Sequence, residues 1–117
     1  MNITDRLGTI IRILEEHDIH EKAISESKSR YFVRPGFEDY VIRLSDHPHI
    51  QDLDRMKSLL VVSILMWNGE EVTIPIEHRQ RFDFVISREM SDDDIRHVVE
   101  EAILRLDKGI AREWGPR

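Results

Sequence analysis

The first hydrophobic pattern along the chain predicts an N-terminal helix. Four apolar residues lie three or four positions apart, as on one face of a helix: Leu7, Ile10, Ile11 and Leu14. Asn2 is a suitable N-cap before them, whereas Gly8 weakens the helix by about 1 kcal/mol relative to alanine. The pattern fades over residues 15–20, and a short helical turn is predicted over Glu21–Ser25.

A wider apolar stripe predicts a second helix near the C-terminus. Its members are spaced so that they form one helical face: Ile95, Val98, Val99, Ala102, Ile103, Leu106 and Ile110. Ser91 is a suitable N-cap, and the three residues that follow it are aspartates, whose charge complements the helix dipole. The predicted helix therefore runs from Asp92 to about Glu113.

Five stretches between the two helices have the alternating or continuous apolar pattern of β-strands. They are Arg30–Arg34, Asp39–Ser45, Ser58–Trp67, Glu71–Ile76 and Phe82–Ser87. Pro35-Gly36 predicts a turn between the first two, and Asn68-Gly69 predicts a type I′ turn between the third and the fourth. The third stretch is apolar on both faces, which is typical of a central strand. Residues 48–57 have helical spacing and predict a helical turn.

Together these elements predict an α+β fold. A five-stranded, mainly antiparallel sheet would have an N-terminal helix and a C-terminal helix packed on it. The chain has 117 residues, which suits a single domain that covers residues 1–117.

Composition narrows the classes of function. The chain has no cysteine, which excludes disulfide scaffolds, thiol nucleophiles and thiolate metal sites. The net charge of −6 disfavours general DNA coating. No apolar run reaches the about 20 residues of a membrane-spanning helix, and the N-terminus lacks the features of a secretory signal. We therefore expect a cytoplasmic protein without membrane association, and no sequence motif predicts a cofactor.

Polar residues cluster where the first predicted hairpin opens. Antiparallel pairing would bring the start of one strand beside the end of its partner. The residues that would meet there are Ser29, Arg30, Tyr31, Arg43, Ser45, Asp46 and His47. Two interpretations stay open: these side chains bind a partner, or they only close the end of the hairpin through hydrogen bonds.

The same region carries a sequence pattern that resembles other proteins. Residues 27–31 follow the pattern Ser-x-Ser-Arg-Tyr, and residues 43–48 read Arg-Leu-Ser-Asp-His-Pro. This pair of segments resembles a pattern in small uncharacterised proteins of bacteria and their prophages. The resemblance covers residues 25–48 and implies a phage or mobile-element context, but no activity.

Histidine pairs raise the alternative of a metal-assisted enzyme. His17 and His20 would share a helical face if the first helix continued that far, and His47 and His49 lie beside Asp46. These residue types are common ligands of transition metals, although the spacing matches no established ligand motif. In this alternative the chain is a small hydrolase or nuclease-related domain whose site is formed by Ser45, Asp46, His47 and His49.

Arginines raise a second alternative, a nucleic-acid-associated regulator. The basic side chains available for it are Arg79 and Arg81 in a loop and Arg30, Arg34 and Arg43 in strands. The acidic net charge does not favour this alternative.

The leading hypothesis is a small, acidic, non-enzymatic interaction protein encoded by a phage or mobile element. It would act by binding another protein, as an inhibitor or adaptor, because no catalytic motif is present. A protein partner is therefore expected, and the sequence is also compatible with a homo-oligomer.

Overall fold

Both predicted helices form close to their predicted limits. In the computed structural model, which describes residues 3–24, 29–45, 58–73, 83–87 and 89–111, helix α1 spans Ile3–Glu16 and helix α2 spans Asp92–Ile110. The Ser91 hydroxyl accepts a hydrogen bond from the Asp94 backbone N–H at 3.1 Å. The Asp94 carboxylate in turn accepts one from the Ser91 backbone N–H at 3.1 Å. This reciprocal capping confirms the predicted start of α2, which ends shortly before the predicted Glu113.

Helix α1 ends in a Schellman turn. The Ile19 N–H donates to the Leu14 carbonyl at 3.0 Å, and the Asp18 N–H donates to the Glu15 carbonyl at 3.1 Å. Asp18 has a φ of 59°, a left-handed conformation that reverses the chain. Ile19 then packs in the core, where it is fully buried. The helix therefore stops at Glu16 and does not continue to His20.

In the described residues, six strands form one antiparallel sheet, one more than the sequence predicts. They are β1 (His20–Glu21), β2 (Arg30–Arg34), β3 (Phe37–Ser45), β4 (Ser58–Trp67), β5 (Val72–Thr73) and β6 (Asp83–Ser87). The helical turn predicted over Glu21–Ser25 is wrong at its start, because Glu21 pairs with Phe32 of β2 and extends the sheet. The turn predicted for residues 48–57 lies outside the described residues.

Strand order runs β1-β2-β3-β4, and β5 and β6 both pair with the remaining edge of β4. Strand β5 lies beside Met66 and Trp67, whereas β6 lies beside residues 58–63. The prediction that β4 is a central strand is confirmed.

The turn between β4 and β5 differs from the predicted type I′ turn. A type I′ turn needs positive φ at both central residues, but only Gly69 has one, at 96°. The last strand pair is Trp67 with Val72, so the loop has the four residues 68–71. Its geometry follows from the Asn68 side chain, whose Oδ1 accepts hydrogen bonds from the Glu70 and Glu71 N–H groups at 2.8 Å.

The main core lies between the sheet and the two helices, which cover the same face. It combines residues of α1, of α2 and of the inward-facing positions of the strands, among them Ile10, Leu14, Phe32, Ile42, Ile64, Ile86, Val99 and Leu106. Arg6 is also buried at the N-terminal end of α1, and its guanidinium donates to the Met90 carbonyl just before α2. The predicted α+β fold, a sheet with two helices packed on it, is confirmed.

A smaller apolar cluster lies on the opposite face of the sheet. Tyr31, Val33, Val41 and Leu65 form its buried part, and Ile24, Trp67 and Val72 pack around them. The Lys22 ammonium lies 5.0 Å from the centre of the Trp67 ring and forms an ion pair with Glu38.

Candidate functional site

The open end of the β2–β3 hairpin has the strand pairing that the sequence predicts. Arg30 lies opposite Leu44, and Tyr31 lies opposite Arg43. The start of β2 is therefore beside the end of β3, and Ser45 follows directly. The candidates Asp46 and His47 lie outside the described residues, as does His49.

The described candidates at this end are divided between the two faces of the sheet. Arg30 lies on the helix-covered side, where its guanidinium is 5.9 Å from the centre of the Phe32 ring. Tyr31 belongs to the apolar cluster on the opposite face and is 6% exposed. Ser45 is equally buried. Because the strand pleat sends alternate side chains to opposite faces, Arg30 lies apart from Tyr31, Arg43 and Ser45, which share the face opposite the helices.

Arg30 forms the best-defined ion pair at the open end. Its Nε and Nη2 donate to the two carboxylate oxygens of Glu21 at 2.7 and 2.5 Å. The hydrogen bond from Arg30 holds the pKa of Glu21 below its ordinary value, and Glu21 raises the pKa of Arg30. This contact joins β1 to β2, so Arg30 has a structural role in the sheet.

Arg43 lies on the same face as Tyr31, between Tyr31 and Ser63 of the neighbouring strands. Its buried Nε has no hydrogen-bond partner among the residues that the structure describes, and the same holds for Trp67 Nε1. Both nitrogens belong to side chains on the face that the helices do not cover.

The paired histidines near the N-terminus contact different acidic residues. His17 follows the end of α1 and lies 3.6 Å from a Glu100 carboxylate oxygen of α2. His20 begins β1 and contacts Asp18 at 2.9 Å. Across the described ranges, no group of three or more potential metal ligands is present.

The turn end of the same hairpin contains a polar contact that sequence reasoning missed. Arg34 Nε and Nη2 donate to the Asp107 carboxylate of α2 at 3.0 and 3.2 Å. Arg34 Nη1 donates to the His17 carbonyl at 2.5 Å. One side chain, only 22% exposed, therefore joins β2, the end of α1 and the last part of α2. Such a contact between residues distant in sequence has no local signal.

Two large apolar side chains are exposed on the elements that this contact joins. Phe37 lies directly opposite Arg34 in the β2–β3 pairing, and its side chain is 55% exposed. Leu104 lies about one turn before Asp107 on α2 and is 54% exposed. We call Phe37, Arg34, Asp107 and Leu104 the turn-end surface.

Charged contacts also join the two helices. Arg96 of α2 donates to the Glu16 carboxylate of α1 at 2.8 Å, and it also lies 3.6 Å from Glu100. The hydrogen bond from Arg96 lowers the pKa of Glu16. These contacts hold the two helices together on their outer side.

Arg30 and Arg34 thus form intramolecular ion pairs, while Arg79 and Arg81 fall in a stretch that the structure does not describe.

Comparison with protein-family models, with curated proteins and with solved structures finds no match. Among the described helices, neither has the length and apolar content required to cross a membrane.

Proposed function

We propose that this chain binds another protein through the turn-end surface and acts as an inhibitor or adaptor. One observation carries the proposal: Phe37 and Leu104, each more than half exposed, lie on elements joined by the Arg34–Asp107 ion pair. No other large apolar side chain is exposed to this extent in the described part of the chain.

Energetics favour a binding role for these two side chains. Removing a large apolar side chain from water contributes about 1.5–3 kcal/mol. Because Phe37 and Leu104 remain largely in water, their burial against a partner surface would gain much of that free energy. The Arg34–Asp107 ion pair holds the hairpin and α2 together, so the two anchors would need little reorganisation on binding.

The charges around Leu104 indicate the chemistry of the partner. Glu101 is exposed three positions before Leu104 and Lys108 four positions after it, and Asp92, Asp93 and Asp94 are exposed at the start of the helix. Helix α2 has six acidic side chains against three of arginine or lysine, so it presents an acidic surface with one apolar anchor. The matching partner is a protein with an apolar pocket flanked by lysine or arginine, since opposite charges steer association and specify the partner.

The proposal includes a phage or mobile-element origin, which the resemblance of residues 25–48 supports. Genes for phage structural proteins or defence systems beside the gene would agree with this origin. A neighbourhood of ordinary metabolic genes would contradict it.

The experiment compares three forms of the full-length chain in capture from cells of the native host. These are the wild type, the double variant Phe37→Ser with Leu104→Ser, and the control Glu70→Ser on the exposed β4–β5 loop. The captured partner is then purified, and its affinity for each form is measured by calorimetry.

We expect the double variant to bind about a hundredfold more weakly than the wild type, a factor of about ten for each lost apolar anchor, without a lower melting temperature. The Glu70→Ser control should bind like the wild type. Equal affinity of the double variant and the wild type would contradict the proposed surface.

A further inference from the structure

Among the described strands, β6 lies at an edge of the sheet. Its residues pair with β4 along one side, where Phe84 lies opposite Val62 and Ile86 lies opposite Leu60. Within residues 3–24, 29–45, 58–73, 83–87 and 89–111, no strand pairs with its other side. The backbone N–H and C=O groups that point outward from an edge strand are a template for a further strand.

The two edges of the sheet differ in how well they are protected. At the β1 edge the strand has only two residues, His20 and Glu21, both exposed and polar. Short, charged edge strands of this kind resist pairing with other chains. At the β6 edge the strand has five residues and contains no proline, glycine, lysine or arginine. Phe84 and Val85 are only half-buried there.

We propose that two copies of this chain pair through their β6 strands and form one continuous antiparallel sheet. The two-fold axis would pass midway between the two Val85 residues at right angles to the sheet, so each Val85 lies opposite its copy. Strand β6 would then change from an edge into an internal strand, and the sheet would be twelve-stranded because each copy contributes six.

In this pairing, the residues of β6 match those of a second β6 strand. We therefore propose a second copy of the chain, and not another protein, as the strand that pairs with this edge. Phe84 would lie opposite Ile86 of the other copy, so apolar residues meet on the helix-covered face. Asp83 would lie opposite Ser87 in this register. The pairing would also cover the parts of Phe84 and Val85 that remain exposed in a single copy.

This inference goes beyond the proposed function because it involves none of the residues of the turn-end surface. The dimer can therefore fail while partner binding through Phe37 and Leu104 persists, and the reverse can also occur.

The first experiment is sedimentation of the purified full-length chain over a range of concentrations. The wild type should sediment at twice the mass of one chain. Val85→Lys should raise the dimer dissociation constant at least about tenfold, because two ammonium groups would lie opposite each other across the axis. The matched control His20→Lys places the same charge on the β1 edge and should leave the dimer unchanged.

A second experiment remains informative if Val85→Lys fails to fold. The chain has no cysteine, so a single introduced cysteine can form a disulfide only with the same cysteine of another copy. Opposite residues in an antiparallel pair have Cα atoms about 4.5–5.5 Å apart, which suits a disulfide. Mild oxidation should therefore crosslink the Val85→Cys variant rapidly and leave the His20→Cys control largely monomeric.

A wild type that sediments as a monomer at all concentrations tested would overturn the inference. A dimer that forms equally well with Val85→Lys, or that crosslinks no faster through Val85→Cys than through His20→Cys, would overturn it as well.

Discussion

The two ends of the β2–β3 hairpin have opposite characters. The open end is rich in polar residue types, but Tyr31 and Ser45 are buried there and Arg30 forms an ion pair with Glu21. At the turn end, Arg34 joins three elements and Phe37 is exposed beside it. Clustered polar residues in a sequence thus mark a part of the sheet that is mostly internal, while an exposed apolar residue marks the candidate binding surface.

The largest effect expected from this contrast concerns two aromatic residues of the same hairpin. Tyr31→Ala should lower the free energy of unfolding by about 3 kcal/mol or more, because Tyr31 is 6% exposed within an apolar cluster. Phe37→Ala should change it by less than about 0.5 kcal/mol, as is usual for an exposed site. Urea denaturation measures both. Similar losses for the two variants would remove the difference between the ends.

An intermediate effect is expected at Arg34. Arg34→Met retains an apolar stem but loses the hydrogen bonds to Asp107 and to the His17 carbonyl. We expect a loss of about 1–2 kcal/mol in the free energy of unfolding, the scale of partly buried bonds to charged groups. The control Arg12→Met, on the exposed side of α1, should stay within about 0.5 kcal/mol of the wild type. A loss no larger than that of the control would mean that Arg34 does not hold the turn end together.

A smaller gain is expected at Asp18, next to the carbonyl that Arg34 binds. Asp18 has a φ of 59°, a conformation that glycine adopts without strain. Asp18→Gly should therefore raise the free energy of unfolding by about 0.5 kcal/mol. Asp18→Ala loses the same carboxylate but keeps the unfavourable backbone, so it should not stabilise the chain. Thermal melting of both variants separates the backbone effect from the loss of the contact with His20.

The smallest effect is the pH dependence of the open end. Arg30 lowers the pKa of Glu21 from the ordinary value of 4.5, so this pair stabilises the fold above that pH. The contribution is lost as the pH falls through the lowered pKa in the folded state. Because the Glu21 side chain is 45% exposed, it amounts to a few tenths of a kcal/mol.

Glu21→Gln should therefore lose less stability than the wild type between about pH 5 and about pH 3. High salt should reduce the difference between the two proteins, since screening weakens exposed ion pairs. Identical acid transitions for both would show that the Arg30–Glu21 contact contributes nothing to folding.

Local patterns predicted most of the fold. The limits of β2 and β4 agree with the alternating and continuous apolar runs, and Ser91 begins α2 as its capping chemistry requires. Strand β1 was missed because two polar residues have no periodicity, and they form a strand only through pairing with β2. The four-residue β4–β5 loop was missed because the Asn68 side chain binds backbone groups that a dipeptide rule does not consider.

The candidate site was predictable only in part. Strand pairing correctly brought Tyr31 beside Arg43, since that follows from antiparallel geometry. Burial was not predictable, because the apolar cluster around Tyr31 depends on strands from distant parts of the chain. The ion pair of Arg34 with Asp107 joins residues far apart in sequence, and the exposure of Phe37 and Leu104 depends on how the helices and sheet pack.

Site-specific photocrosslinking in the native host tests most directly whether the turn end is the binding surface. A photoreactive phenylalanine analogue is placed at Phe37, at Leu104, and for comparison at Ser29 of the open end. We expect positions 37 and 104 to crosslink to one and the same protein, and position 29 to give no such product. Crosslinking of a protein from position 29 but from neither turn-end position would contradict the proposed binding surface and favour the open end.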